Sequence, residues 1–94
     1  MTTSWMGWTQ LESFSTWHNV EYATLNNGFG GTGARLMVNS PLHQRHLENL
    51  ARMAKEGTFV YKGRGNLADA TFYSGECAIN MGSSGSLGNI RRNA

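Results

Sequence analysis

Apolar and polar positions recur along the chain in blocks of changing period, and each change marks a predicted element. Thr9-Gln10-Leu11-Glu12 has the Thr-x-x-Glu form of a capping box, in which hydroxyl and carboxylate close the free amides of a first helical turn. At about 100° per residue, Leu11, Phe14, His18, Tyr22 and Leu25 share one narrow arc, with Glu12, Thr16 and Asn19 pointing away. The pattern predicts a helix from Thr9, whose far half, Val20 to Leu25, has the β-branched and aromatic content of a strand as well. Asn26-Asn27-Gly28 ends either form, because asparagine and glycine accept positive φ.

Gly28-Phe29-Gly30-Gly31-Thr32-Gly33 reads as a flexible connector, and Ala34 to Val38 as a short strand. Ser40-Pro41 is a helix start and Gly57 its stop: serine caps, proline needs no amide partner at the first position, and glycine takes the left-handed exit. On that helix Leu42, Leu47, Leu50, Met53 and Ala54 form the expected inner face. Arg45, Glu48, Arg52, Lys55 and Glu56 form the outer one, with Glu48 placed to pair with Arg52. Thr58 to Tyr61 and Ala70 to Tyr73 have strand composition around a Gly63-Arg64-Gly65-Asn66 turn, which predicts a hairpin running on toward Ile79 with a bulge at Gly75. From Gly82 the chain turns to Gly, Ser and Asn with Arg91-Arg92 near its end. The expected fold class is therefore α+β: two helices on a small antiparallel sheet of about three strands, in a single domain over 1–81, with a flexible tail over 82–94.

Composition narrows the function classes. Of the 94 residues, 28 are large and apolar, enough for one small core, and the net charge is only +2. No apolar run approaches the length of a membrane span, the first residues lack a signal-peptide pattern, and the single cysteine forms no internal disulfide. These features lead to the expectation of a cytoplasmic protein without a membrane partner. The eight basic residues are scattered among six acids, without the clustered stripe of a nucleic-acid binder.

Catalytic and metal patterns are sparse. His43 and His46, three apart on the second helix, would need His18 or Cys77 to complete a zinc site, and no Cys-x-x-Cys or His-x-x-x-His spacing delivers them. Cys77 reads as a small core hydrophobe, and the glutamates stand apart, so no catalytic residue, metal or cofactor is expected. The glycine run lacks the Gly-Lys-Ser/Thr ending of a P-loop. The aromatics say more. Trp5, Trp8, Trp17 and Tyr22 exceed what a narrow stripe can bury, and together with Arg35 and Arg64 they are the candidate partner-binding residues, being the types that anchor interfaces.

Gly7-Trp8-Thr9-Gln10-Leu11-Glu12-Ser13-Phe14 resembles the Gly-Trp-Thr-x-x-Glu-Thr-Trp segment of small phage- and plasmid-encoded proteins. The resemblance covers eight residues and departs at Ser15-Thr16. It implies a mobile-element accessory protein, a class rich in inhibitors of host machinery, and it carries over no site residue. The resulting expectation is a non-enzymatic protein that binds another macromolecule: an inhibitor of a host defence or nucleic-acid-processing complex such as an anti-CRISPR, in the host cytoplasm, with a homo-oligomer compatible. The alternative is a nucleotide- or nucleic-acid-binding module using the glycine loop, Arg35 and exposed aromatics.

Overall fold

Two threonines near the start of the chain hold its two ends together. In the computed structural model, which describes residues 1–94, strand β1 (Thr2–Thr3) lies between Val60 and a segment near the C-terminus. Thr2 Oγ1 donates to Val60 O at 2.8 Å, Thr2 N to Ile79 O at 2.9 Å, and Ser4 N to Met81 O at 2.8 Å. A helical stretch follows, with a π-helical turn over Trp8–Glu12 that continues into α1 (Ser13–Trp17). Thr9 does not cap it. Its hydroxyl instead reaches Ser4 O and Thr3 Oγ1, because β1 passes within bonding distance of the turn.

The next element, α2 (Thr24–Asn27), is one turn wound left-handed, with φ of 56° at Leu25 and 52° at Asn26. Asn27 Oδ1 secures it by accepting the Tyr22 and Ala23 amides. Helix α3 (Pro41–Glu56) begins at Ser40, whose hydroxyl accepts from His43 N, and ends at Gly57 with φ 83°. Its inner face is rotated from the expected one: His43 and Leu50 are buried while Leu47 is exposed. Its ion pair is Arg52–Glu56 at 3.3 Å rather than Glu48–Arg52.

The expected hairpin is absent. Its second strand is helix α4 (Asp69–Tyr73), ended by Gly75 at φ 85°, and the chain then forms β2 (Asn80–Met81). β2 pairs with β1 in parallel, Thr2 against Asn80 and Thr3 against Met81. The expected antiparallel sheet of three strands is thus replaced by one parallel two-stranded ladder among five helical segments. A four-residue aromatic run is too short for period to decide between strand and helix, and tertiary bonds at Asp69 decide for helix. The expected flexible tail is also corrected. Ser83 Oγ accepts from Gly85 N to open a 3₁₀ turn (Ser84–Ser86), and α5 (Leu87–Asn93) packs on α4.

Nine of the 14 buried residues are polar, and the buried apolar set is Ala23, Leu50, Phe59, Ala68 and Cys77. Buried hydroxyls and amides therefore join the elements. Gln10 Nε2 donates to Thr3 Oγ1 at 3.1 Å, and Gln10 Oε1 accepts from His46 Nε2 at 3.1 Å. The radius of gyration is 15.0 Å, against about 12 Å for a compact chain of this length. Trp17, Phe29, Leu36 and Leu67 stand more than 60% exposed on this open shape. No helix is long and apolar enough to cross a membrane.

Candidate functional site

The chain reverses directly after β1, at Trp5. Its φ of 52° is unusual for a bulky residue, and the position is held by Trp5 N donating to Gly65 O at 2.7 Å. Gly65, itself at φ 67°, lies under the ring, where a β-carbon would stand 3.8 Å from Trp5 Cη2. The contact brings the loop after Tyr61 against the start of the helical stretch. Trp5, Met6, Gly7, Trp8, Tyr61, Arg64 and Gly65 then line one cleft of about 330 Å³. That volume falls at the low end of small-molecule sites.

Both indoles and Tyr61 are about half exposed, so the cleft presents aromatic faces to solvent. Arg64 is exposed at its edge and joins no ion pair, since the chain's one ion pair is on α3. Trp8 also borders a second cleft with Thr9, Ser13, Trp17, Asn80, Met81 and Gly82. Asn80 and Gly82 in turn line a third with Ser83 and Ser84 on one side and Phe72, Leu87 and Ile90 on the other. Aromatic faces, a free guanidinium and a run of small polar groups thus follow one another across the surface.

Of the candidate residues from the sequence, the structure gathers Trp5, Trp8 and Arg64 in one cleft and sets Trp17 beside it. Tyr22 and Arg35 lie elsewhere, on the lobe closed by the Ala23–Leu36 bridge. In the glycine run the first four of its six amides, Gly28 to Gly31, are already bonded to carbonyls within the lobe. Gly28 N donates to Thr24 O, Phe29 N to Asn26 O and Gly30 N to Leu25 O. Tyr61 and Asn80 were missed by sequence reasoning, no local pattern marking either.

The histidines form a separate cluster. Ser15 Oγ donates to Leu11 O at 2.7 Å and so accepts from His43 Nε2 at 2.6 Å, while Ser40 Oγ meets His43 Nδ1 at 2.5 Å. Both ring nitrogens of the fully buried His43 are occupied, leaving no lone pair for a metal, and Ser15 is too deeply buried to act as a nucleophile. His46 stacks on Phe14 with ring centroids 3.8 Å apart and 9° between planes. Burial first, and then coulombic repulsion from His18 and His43, push the His46 imidazole below the usual histidine value, against the opposing effect of the Gln10 backbone.

No family model matches the chain. It is 48% identical over 92 residues to the sn-glycerol-3-phosphate-binding periplasmic protein UgpB of Rhizobium meliloti (strain 1021), a match covering 98% of this chain and 21% of that protein. The protein of the same name from Yersinia enterocolitica is 49% identical over 92 residues, again 98% of this chain and 21% of the relative. That of Brucella abortus (strain 2308) is 47% identical over 89 residues, 95% of this chain and 21% of the relative. These matches overturn the resemblance to phage and mobile-element proteins, since Gly7–Phe14 sits inside a similarity that runs through nearly the whole chain. They overturn the inhibitor and nucleotide readings too, because the relatives are named for binding a small phosphorylated polyol. The cytoplasmic expectation falls with them, as the relatives are periplasmic by name. These relatives are named as binding proteins, in agreement with the non-enzymatic expectation. The chain spans about a fifth of the length of the curated relatives it matches.

Proposed function

We propose that this chain supplies one wall of a binding site for a small phosphorylated polyol of the sn-glycerol-3-phosphate class, in a periplasmic binding protein. The observation that carries the reading is the cleft lined by Trp5, Trp8 and Tyr61 with the exposed, unpaired Arg64 at its edge. The carbon-bound face of a polyol packs on indole and phenol rings, which give a rigid apolar surface at low entropic cost. A phosphate dianion matches the planar fork of a guanidinium, which donates two parallel N–H bonds. Trp8, Asn80 and Gly82 extend the surface toward Ser83 and Ser84, whose hydroxyls and amides suit further oxygen atoms.

The cleft is open on one side, whereas small-ligand sites bury most of the ligand surface. An opposing wall completes the site, which agrees with the extended shape of the chain and its exposed large apolar residues. The test is therefore made in a chimera, with these 94 residues replacing the matched segment of the Rhizobium meliloti relative. Titration with sn-glycerol-3-phosphate is followed by tryptophan fluorescence. We expect retained binding, a loss of tenfold or more in Arg64→Ala, and weak response to glycerol. A folded chimera that fails to bind, or whose affinity is indifferent to Arg64→Ala and Trp5→Ala, overturns the proposal.

A further inference from the structure

Asp69 lines none of the three neighbouring clefts, yet each of them is tied to it. It is buried in the first turn of α4. Its Oδ1 accepts from Ser4 Oγ at 2.6 Å and from Asn80 Nδ2 at 2.9 Å, and neither donor has another acceptor in the chain. Its backbone N donates to Asn66 O at 3.1 Å. Segments far apart in sequence thereby meet on one residue.

Each bond leads to a different part of the candidate site. Ser4 directly precedes Trp5, and Trp5 N donates to Gly65 O at 2.7 Å. Gly65 stands between Arg64 and Asn66, and Asn66 O returns to the Asp69 amide. Asp69, Ser4, Trp5, Gly65 and Asn66 therefore form a closed circuit of hydrogen bonds and peptide bonds. A closed circuit cannot relax at one link without moving the others, so Arg64 keeps its place relative to Trp5. The circuit also accounts for the positive φ of Trp5, which a bulky residue holds only where its surroundings over-determine it. On the other side, Asn80 lines the second and third clefts, and a β-carbon on Gly82 would stand 3.8 Å from Asp69 Oδ1.

We propose that Asp69 is a positioning residue of the candidate site: by accepting from Ser4 and Asn80 it fixes Trp5 relative to Arg64 and to the polar run, without touching the ligand. The geometric part stands on the bonds alone, whereas its effect on binding rests on the phosphorylated-polyol reading. Asp69→Asn and Asp69→Ala separate positioning from bulk. Asparagine keeps an oxygen for both donors, and its amino group takes the place of Oδ2, which accepts nothing within the chain. Alanine frees both donors at once.

In the full 94-residue chain, a nuclear Overhauser cross-peak between the Trp5 indole and the Gly65 α-protons reports the circuit, since the ring lies 3.8 Å from where a β-carbon on Gly65 would stand. We expect the cross-peak in the wild type and in Asp69→Asn, and its loss in Asp69→Ala. Where Asp69→Ala does not fold, Ser4→Ala opens the circuit at one link, keeps the bond from Ser4 N to Met81 O, and should show the same loss. A cross-peak unchanged in the alanine variants, or lost in Asp69→Asn, overturns the proposal. In the Rhizobium meliloti chimera, Asp69→Ala should weaken sn-glycerol-3-phosphate binding about tenfold, with Asp69→Asn near the wild type and the double variant with Arg64→Ala losing less than the product of the single losses. Losses that multiply mark a role independent of Arg64 and overturn the proposal as well. A chimera that fails to bind before any substitution, while the cross-peaks behave as expected, overturns the ligand reading alone.

Discussion

Replacing Gln10 by leucine removes the side chain through which β1, β2 and α3 are tied together. The amide is 2% exposed and makes three bonds: to Thr3 Oγ1 at 3.1 Å, from His46 Nε2 at 3.1 Å, and to Met81 Sδ at 3.3 Å. Thr3 keeps Thr9 as a partner, so little is lost at that end. His46 Nε2–H is left without an acceptor in a part-buried setting, and the sulfur contact is weak. One lost neutral bond of about 1 kcal/mol and one stranded donor of about 1–2 kcal/mol give roughly 2–3 kcal/mol, reduced to about 2 by burial of the leucine methyls. For a chain of this size that corresponds to a fall in Tm of about 8–16 °C. Urea and thermal unfolding followed by tryptophan fluorescence measure it. A cycle with His46→Phe, which keeps the stack on Phe14 but has no ring donor, isolates the stranded group: the double variant should cost about 1 kcal/mol less than the sum of the singles. Strict additivity, or a Gln10→Leu variant as stable as the wild type, would refute the reasoning.

Two further outcomes follow from other parts of the fold. Asn27→Ala loses an acceptor for the Tyr22 and Ala23 amides and places alanine at φ 60°, together about 2–3 kcal/mol; hydrogen exchange at those two amides should quicken while the amides of α3 stay protected, and Asn27→Gly should fall between. Because His46 is held below the ordinary histidine value, both folded and unfolded chains are neutral there above that value and it contributes no pH dependence. As pH falls below it the unfolded chain takes up the proton first, so stability declines on acidification, and urea midpoints across that range should show a shallower decline in His46→Phe than in the wild type.

The residues that made α3 legible act locally. A serine cap, a proline at the first helical position and a glycine exit each satisfy or release backbone groups within one turn, so their effect survives without knowledge of the rest of the chain. The sheet had no such local mark. Its strands are two residues long and joined by a bond between Thr3 and Met81, 78 positions apart, too short to show alternation and too distant to be paired by a turn. The same holds for α4, where the deciding bonds run from Asp69 to Ser4 and Asn80. In the candidate site, Trp5, Trp8 and Arg64 stood out by residue type alone. What joined them was the turn at Trp5 and its bond to Gly65, a positive-φ tryptophan that propensity argues against. The His43–His46 spacing by itself delivers two imidazoles and no further ligand, and it carries no information on which ring nitrogens are already bonded.

The aromatic surplus pointed correctly to exposed rings but not to the kind of partner, because indoles serve protein interfaces and polyol stacking alike. Charge and scale separate the two. A protein interface of ordinary size needs roughly 800 Å² from each partner, while these rings line a cleft of about 330 Å³ with one guanidinium at its edge. Under the proposed function the occupant of that cleft is a small anion. The polar interior fits the same reading: Ser4, Asn80 and Gln10 are held by directional bonds rather than by packing alone, so the backbone that carries Trp5, Trp8 and Gly82 is fixed in orientation, as a site that must aim a few donors at one small molecule requires.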